Sequence, residues 1–438
     1  MTQSVLDNHP RRFALTNELH ARPFTPTDAP GRVLMIAFKQ TENAAERDPA
    51  ADRAHLTALI DRFGGTHPAP DANHYLADLG RFRLKWERHT EFVSYTLFES
   101  GAAEPLFAPG LIEHLPAEWL AQAPGKVVAA VEIELLRAPD LAAAVTLLDG
   151  PLGRAFSRES MVAARVLDGA GLAVGDFRIH EGGFTRFALV IHDEVGDRRI
   201  GRAVQRLIEI ENYRILSMLA LPIAREAARR LNQIGRELTS LIRLVASADR
   251  SAPEQAILDQ LTALSAEIEA MSASTAFRFG AATAYEAIVH QRIANLREQR
   301  LSGRQLFSEF MMRRYDPAMR TCHSAAGRLA DLATRASRIA DLLRTRVDVA
   351  VEAQNQKLLA SMNARADMAL RLQETVEGLS VVAISYYAVS LLSYILAPAT
   401  KLVGIDKTTL IAVVALPVIA GVAWSVRRVR KRITHRHD

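Results

Sequence analysis

The chain lacks the residues and motifs on which many enzymes and secreted proteins depend. A single cysteine, Cys322, among 438 residues excludes an internal disulfide, which suits a reducing cytoplasm. No HExxH, CxxC, P-loop, GxGxxG or GxSxG pattern occurs, so the common metalloprotease, redox, nucleotide-binding and hydrolase classes have no support. We therefore predict a protein that is not an enzyme, with no catalytic residue, no metal site and no cofactor.

The sequence also lacks a strong excess of either charge. The 54 Lys and Arg residues against 49 Asp and Glu leave a net charge of +5, and six of the basic residues follow Trp424. Without that tail no overall basic field remains, so we predict no nucleic-acid partner. The N-terminal MTQSVLDNHPRRF has no apolar core of the kind that a signal peptide needs, so we expect the large domain to stay in the cytoplasm.

Two stretches near the C-terminus lack charge altogether. Residues 379–397 (LSVVAISYYAVSLLSYILA) and 408–426 (TTLIAVVALPVIAGVAWSV) each contain nineteen uncharged residues. A helix of that length can cross a hydrocarbon core of about 30 Å. Two helices buried in a soluble core are the alternative, but the basic residues that follow directly argue against it. We predict a transmembrane hairpin, with the lipid bilayer as its partner.

The distribution of basic residues predicts the orientation of this hairpin. The loop between the two runs carries Lys401 and Lys407, whereas the tail carries six Lys or Arg residues. Basic segments stay on the cytoplasmic side, so the tail should lie inside and the loop outside. Since two spans return the chain to its starting side, we expect a multi-pass protein with both termini in the cytoplasm.

Proline is absent between Pro317 and Pro398, which favours one very long helix. Eighty residues of helix would extend roughly 120 Å, and an apolar stripe from Leu329 to Met362 gives it a modest packing seam. This seam could pack against the preceding helices or against copies of itself, and we interpret the stretch as an elongated, oligomeric stalk that enters the first span. The predicted domains are an α+β domain (1–194), a long-helix stalk (195–378), the transmembrane hairpin (379–426) and a basic tail (427–438).

Before residue 195, short apolar runs with period-two alternation indicate strands that alternate with helices. The predicted strands are residues 33–38, 74–77, 82–87, 92–98, 127–136, 161–166, 174–180 and 184–191. The predicted helices are residues 51–63, 113–122 and 139–148. Sequential strand pairs favour a mixed or mainly antiparallel sheet with helices packed on it, which is an α+β domain.

The α+β region has a possible internal duplication of a β-α-β-β-β unit. GRFRLKWERHTEFVSYTLF and GDFRIHEGGFTRFALVI share a Phe-Arg-aliphatic start, a turn, and a Phe followed by an aromatic residue three positions later. In this alignment Phe82 corresponds to Phe177, and Phe92 corresponds to Phe184. Chance similarity between two hairpins is the alternative, and both interpretations stay open.

Several motifs resemble those of a bacterial family known as DUF3422. They are TNELHARPF (16–24), APGRVL (29–34), DFRIHEGGFTR (176–186), LLRTRVDVAVEAQNQKLLASMN (342–363) and LQETVEGLSVVAISYY (372–387). The resemblance covers nearly the whole chain. It implies a bacterial protein anchored in the inner membrane, and it implies no activity because the family has no established function.

The order of elements is also similar to that of CorA-type magnesium channels. Those proteins have a cytoplasmic α/β domain, a very long helix that continues into a pore-lining first span of a pentamer, and a Gly-Met-Asn motif that selects hydrated magnesium. Here the loop carries Gly404-Ile405-Asp406, which departs from the motif at two of three positions. Asp406 is a candidate cation contact, or else a solvated turn residue.

Two groups of polar residues are further candidate sites. Hydroxyls lie on one face of the first run, at Tyr386, Ser390, Ser393 and Tyr394, where they pack helices in an oligomer or line a narrow pore. The N-terminal motif contains Asn17, Glu18, His20 and Arg22. Glu18 and His20 could ligate a metal and Arg22 could bind an anion, but we favour a segment that docks on the folded domain through ion pairs.

These patterns support two hypotheses about function. The first is a membrane-anchored structural or scaffolding protein, a homo-oligomer that presents its α+β domain to a cytoplasmic protein partner. The alternative is a CorA-like oligomeric channel or transporter with a divergent selectivity loop.

Overall fold

The computed structural model describes residues 7–18, 24–41, 47–246, 254–403 and 406–434, in two compact units, Met1–Ile339 and Ala340–Asp438. The described helices are α1 (Arg12–Glu18), α2 (Pro49–Phe63), α3 (Ala117–Ala121), α4 (Leu141–Leu147), α5 (Asp197–Met218), α6 (Ala220–Ala246), α7 (Glu254–Leu296), α8 (Phe307–Phe310), α9 (Asp316–Val403) and α10 (Lys407–Thr434). The described strands are β1 (Gly31–Lys39), β2 (His74–Asp78), β3 (Arg83–Arg88), β4 (Phe92–Ser100), β5 (Lys126–Ala138), β6 (Val162–Val166), β7 (Gly171–Ile179), β8 (Thr185–His192) and β9 (Gln299–Arg300).

The strands form one mixed sheet in the order β2-β3-β4-β1-β5-β8-β7-β6-β9. Strands β5 and β8 are parallel, and the other neighbouring pairs among the described strands are antiparallel. This confirms the predicted α+β domain with a mainly antiparallel sheet, and all eight predicted strands are present. The ninth strand, β9, was not predicted, because two exposed residues carry no alternation of apolar and polar side chains.

Strands β1 and β5 lie side by side at the centre of the sheet. Six consecutive residues of β1, from Val33 to Phe38, are at most 3% exposed, so this strand is covered on both faces. By contrast β2, at one edge, alternates between exposed and half-buried residues. The near-continuous apolar sequence VLMIAF therefore belongs to a central strand, and the alternating HYLAD belongs to an edge strand.

One face of the sheet, the first face, carries Val33 and Met35 of β1 and packs against helices from later in the chain. Leu207 of α5, Val289 of α7 and Met319 of α9 belong to the same core. The predicted boundary at residue 195 lies between β8 and α5, but the helices that follow it share one hydrophobic core with the sheet.

The opposite face, the second face, is covered by two separate apolar clusters. One cluster joins Leu34 and Ile36 of β1 to α2 and to Trp119 of α3. The other joins Ala188 and Val190 of β8 to α4 and the turns that follow it. The central strands between these clusters carry charged side chains on this face, which defines the site described below.

Helix α2 shows how local sequence sets the ends of a covering helix. The Asp48 carboxylate accepts a hydrogen bond from the Ala50 amide at 2.8 Å, and Pro49 occupies the first helical turn, where its missing N–H is tolerated. Gly64 ends the helix at φ 70°, a left-handed conformation that favours glycine. The predicted helix over residues 51–63 is confirmed to within two residues.

A buried ion cluster ties α7 to the sheet. Glu91, immediately before β4, is fully buried, and its carboxylate lies 2.7 Å from the Arg278 guanidinium of α7 and 3.1 Å from Lys39 Nζ of β1. Burying a carboxylate is costly unless it is paired, so the cluster selects the one position of α7 that brings Arg278 to Glu91.

In the second unit, the remainder of α9 is followed by α10, which contains Pro417. The long helix predicted from the absence of proline is confirmed, since α9 runs from Asp316 to Val403. The residues of the predicted apolar stripe are buried from Leu329 to Leu343 and become exposed further along, with Leu358 at 54% and Met362 at 63%.

The proposed duplication stays a hypothesis. Each half of the sheet has the same order of elements along the chain, β1-α2-β2-β3-β4 and β5-α4-β6-β7-β8. The first strand, however, is antiparallel to the last in the first half and parallel to it in the second. Phe82 also precedes β3, whereas Phe177 lies near the end of β7, so the aligned residues occupy different positions in their hairpins.

The ion cluster predicts a large effect of truncating Arg278. Arg278→Met should destabilise the full chain by about 3–5 kcal/mol, because it leaves Glu91 buried without its guanidinium partner. Urea unfolding in detergent, followed by tryptophan fluorescence, measures this loss. Arg229→Met, at an exposed position on α6, should change stability by less than about 0.5 kcal/mol. A loss at Arg278 no larger than at Arg229 would contradict the proposed role of the cluster.

Candidate functional site

Half of the predicted N-terminal site lies outside the described residues. Asn17 and Glu18 end α1, while His20 and Arg22 are outside the described part of the chain. The residues that follow dock on the start of α5: Thr27 donates its amide to the Asp197 carbonyl at 3.1 Å. A Cβ at Gly201 would lie 2.1 Å from the Thr25 carbonyl oxygen, so this contact requires glycine. The role of the four predicted residues stays a prediction.

The hydroxyl face of the first apolar run is partly exposed. Tyr386 and Tyr394 are 72% and 75% exposed, and Ser390 and Ser393 are half-buried, with the Ser393 hydroxyl donating to the Ser390 carbonyl at 2.7 Å. The serine buried between α9 and α10 is Ser385, which is 5% exposed and lines an apolar cavity of about 320 Å³ with Ala415 and Ile419 among its other walls. Ser385 was not part of the predicted face.

Asp406 caps the start of α10. Its carboxylate accepts hydrogen bonds from the Thr408 amide at 3.3 Å and from the Thr408 hydroxyl, and its carbonyl accepts from the Thr409 amide at 3.1 Å. An aspartate at this position satisfies amides that the helix leaves without intrahelical partners. The role of Asp406 as a candidate cation contact stays a prediction.

The polar centre of the second face is a site that the sequence did not reveal. We call it the charged row; it consists of Glu99 (β4), Arg32 (β1), Glu132 and Glu134 (β5) and Arg186 (β8). The strand register places Arg32 directly opposite both Glu99 and Glu134, and Glu132 directly opposite Arg186. Opposite charges therefore alternate across four strands, the arrangement that stabilises cross-strand pairs.

Glu134 lies beneath a loop that follows β4. Its side chain is 2% exposed, and one carboxylate oxygen accepts the Phe107 amide at 2.9 Å, while the other has no hydrogen-bond partner in the described structure. Phe107 is held in the left-handed region at φ 62°, which is strained for a residue with a bulky side chain. Its ring lies 4.9 Å from the Arg186 guanidinium. The loop thus contacts both an acid and a base of the row.

Ion pairs continue the row at both ends. The Arg32 guanidinium binds the Glu99 carboxylate and donates to the Ala108 carbonyl at 3.4 Å. His114 Nε2 lies 2.9 Å from the other oxygen of Glu99. Arg186 lies 3.5 Å from Glu132. Each carboxylate other than Glu134 therefore has a basic partner within 4 Å.

Burial changes the acidity of the two glutamates on β5. It raises the pKa of Glu134 to about 7, an effect only partly offset by the Phe107 amide and Arg32. Burial also raises the pKa of Glu132, and the neighbouring Arg186 opposes this increase. Glu134 therefore gains or loses a proton near neutral pH, in contact with a strained loop. Chemically, the row can hold one proton and exchange it as the pH changes.

The sequence pattern concealed this site. The alternation Val131, Ile133, Leu135 identified a strand with one buried face, which left Glu132 and Glu134 on the face expected to meet solvent. Glu132 is half-buried because β5 is central in the sheet, and Glu134 is buried because a distant loop also covers it. Among the described residues, no group of three or more His, Cys, Asp or Glu side chains is placed to hold a metal ion.

The raised pKa of Glu134 predicts how the stability of the fold depends on pH. Its pKa is about 7 in the fold and near 4.5 when unfolded, so its contribution to stability is fully present below pH 4.5 and is lost as the pH rises through 7. Glu134→Gln keeps the acceptor for Phe107 and should be more stable than the wild type by about 3 kcal/mol at pH 8, with a small difference at pH 5. Urea unfolding of the full chain across this range measures it.

Glu118→Gln, at an exposed position of α3, is the control and should follow the wild type at every pH. Parallel wild-type and Glu134→Gln curves between pH 5 and 8 would contradict the raised pKa.

Comparison with known proteins identifies the family. Residues 7–433 match the family described as "Protein of unknown function (DUF3422)", and none of the curated proteins matches the chain. Among solved structures, it is similar to "The complete structure of CorA magnesium transporter from Methanocaldococcus jannaschii", at 12% identity over 68% of this chain and 90% of that chain, with a TM-score of 0.16. That likeness is too weak to support an argument. Because the family match spans nearly the whole sequence, as the motifs predicted, this chain belongs to the DUF3422 family.

Proposed function

We propose that this protein is a membrane-anchored structural protein that crosses the bilayer through residues 379–397 and 408–426 and presents its sheet domain to cytoplasmic partners. The observation that carries the proposal is the exposure of both apolar runs. In the most apolar windows of α9 and α10, 6% and none of the residues, respectively, are buried by the rest of the chain. A helix in the core of a soluble protein would be mostly buried.

Individual side chains support the same conclusion. Leu379, Leu391, Val413 and Leu416 are each at least 65% exposed. Contiguous apolar surface of this kind is unfavourable in water and favourable in hydrocarbon, where it needs no protein cover. Lipid is therefore the environment that fits these side chains best.

The end of the second run has the composition of a membrane interface. Trp424 is 62% exposed, and the Arg428 guanidinium lies 4.8 Å from its ring. Tryptophan is enriched at the headgroup level, and arginine can extend its charged group to the water while its stem covers apolar surface. Together with the basic residues at 427–432, this supports a cytoplasmic tail and hence two cytoplasmic termini.

Exposure along the rest of α9 supports a homo-oligomer. Leu358, Leu359, Met362 and Leu372 are between 54% and 66% exposed, in a stretch that precedes the first apolar run. Long helices gain most of their stability from packing of an apolar face, so a second copy of the same helix is the simplest cover for this surface.

The topology can be tested with single cysteines. In a Cys322→Ala background, a membrane-impermeant maleimide should label Lys407→Cys in intact spheroplasts, because the loop is external. His437→Cys and the sheet-domain control Glu118→Cys should react only after permeabilisation. The native Cys322 is 3% exposed, and burial raises the pKa of its thiol. It should therefore react slowly with maleimide, and its replacement removes only a small background of labelling. Labelling of His437→Cys in intact spheroplasts would overturn the proposed topology.

A flux assay with a substitution on the hydroxyl face of α9 tests the alternative, ion conduction. We expect no cation flux from the full chain in liposomes, because Asp406 is used as a helix cap and the loop has no recognisable filter. Ser390→Leu should then weaken the oligomer by about 1 kcal/mol per lost buried contact, measured as subunit mass in detergent. Ser380→Leu, outside this face, is the matched control. Strong flux in the wild type that Ser390→Leu abolishes would establish a channel and refute the structural proposal.

A further inference from the structure

A partly open cavity of about 240 Å³ lies between the start of α5, the end of α7 and the turn before β7. We call it the arginine pocket; its polar lining consists of Asp168, Arg199, Arg202, Arg206, Asn295 and Arg297. The three arginines of α5 follow spacings of three and four residues, which places them on one side of the helix. Arg297 comes directly after α7 and has a left-handed backbone at φ 49°.

The charges that line this pocket are not balanced. Asp168 is the single carboxylate among its lining residues, and it already binds Arg199 at 3.1 Å and Arg297 at 3.4 Å. The Arg202 guanidinium lies 5.1 Å from the ring of Phe24. Within the described part of the chain, no hydrogen bond or ion pair joins Arg202 or Arg206 to a carboxylate. Two guanidinium groups at the pocket therefore remain without an anionic partner among the described residues.

The environment of Arg206 reflects this imbalance. Burial lowers the pKa of its guanidinium, and the positive charges of Arg202, Arg292 and Arg297 lower it further, while Glu209 only partly opposes this. Arg292, for its part, is bound by Glu209 of α5. An anion in the pocket would relieve the repulsion between Arg206 and its neighbours, which gives the site a physical reason to bind one.

Elsewhere in the same unit, buried arginines have their own carboxylates. Arg47 binds Asp52, and Arg278 binds Glu91 at 2.7 Å. Arg214 binds Glu211 at 2.8 Å. Arg202 and Arg206 of the pocket are half-buried and, unlike these three arginines, have no carboxylate within ion-pair distance among the described residues.

We propose that the arginine pocket binds a phosphate group, held by Arg202 and Arg206 with Arg199, Arg297 and the Asn295 amide around it. Guanidinium groups offer paired donors that match phosphate oxygens, and charge-assisted bonds of this kind are stronger than neutral ones. The phosphate belongs to a soluble phosphomonoester or to a lipid with a phosphomonoester headgroup, such as phosphatidic acid, since both present the same dianionic group. The site is independent of the proposed anchoring role, because its residues all lie in the first unit.

Calorimetric titration of the full chain in detergent tests this proposal with two soluble probes, inorganic phosphate and glycerol 3-phosphate. The wild type should bind at least one of them, and Arg206→Gln should weaken binding by about tenfold or more, since one charge-assisted contact is removed. Arg229→Gln removes the same charge from an exposed position of α6 and should bind as the wild type does. Thermal unfolding without phosphate should show Arg206→Gln folded and at least as stable as the wild type, because a repelling charge is gone.

A second arm identifies the source of the phosphate. The full chain is placed in nanodiscs of phosphatidylcholine alone or with added phosphatidic acid, and the thermal midpoint of each variant is compared. A midpoint that rises with phosphatidic acid in the wild type and not in Arg206→Gln assigns a lipid headgroup, whereas binding of the soluble probes alone assigns a free phosphomonoester. Equal responses of Arg206→Gln and the wild type in both arms, or no response in either, would overturn the phosphate site.

Discussion

The pairing of β1 with β5 is the interaction on which the rest of the sheet domain depends. It joins the strands that precede residue 101 to those that follow residue 125, and both strands are buried at the centre of the sheet. A one-residue slip of β5 would turn Ile133 toward the polar second face and drive Glu132 and Glu134 into the apolar first face. The register is therefore selected by burial on both faces of the sheet at once.

That register also explains why the domain is completed by helices so far along the chain. The first face of the sheet needs an apolar cover, and α5, α7 and the start of α9 supply it from beyond residue 196. Glu91 is sealed beneath this cover and is neutralised by Arg278, which is 187 residues later. Hydrophobic burial thus brings the layers together, and the requirement to pair one buried carboxylate fixes where α7 sits. The strands alone would leave the apolar first face exposed to water and Glu91 without Arg278.

The elements could be predicted from the sequence, but their assembly could not. Period-two alternation identified the strands, and the absence of proline identified α9, because both signals are local. The charged row was missed because the burial of Glu134 depends on a loop centred on Phe107 and on the opposing Arg32, which are distant in sequence. The arginine pocket was missed for the same reason, since Arg297 follows α7 whereas Arg206 lies within α5. Sites assembled from several elements leave no short motif to read.

The ionisable side chains inside the domain fall into two groups, those in matched ion pairs and those without an ion-pair partner among the described residues. Arg47 with Asp52 and Arg214 with Glu211 are matched pairs, in which removing either partner would leave a buried charge. Glu134 departs from this rule because burial favours its protonated form and raises its pKa to about 7. Its charge near neutral pH therefore depends on the pH of the solution. Arg206 departs in the opposite sense, since its neighbours add positive charge without a carboxylate of its own. Glu134 is therefore the place where a proton, and Arg206 the place where the proposed phosphate group, can change the energy of the domain.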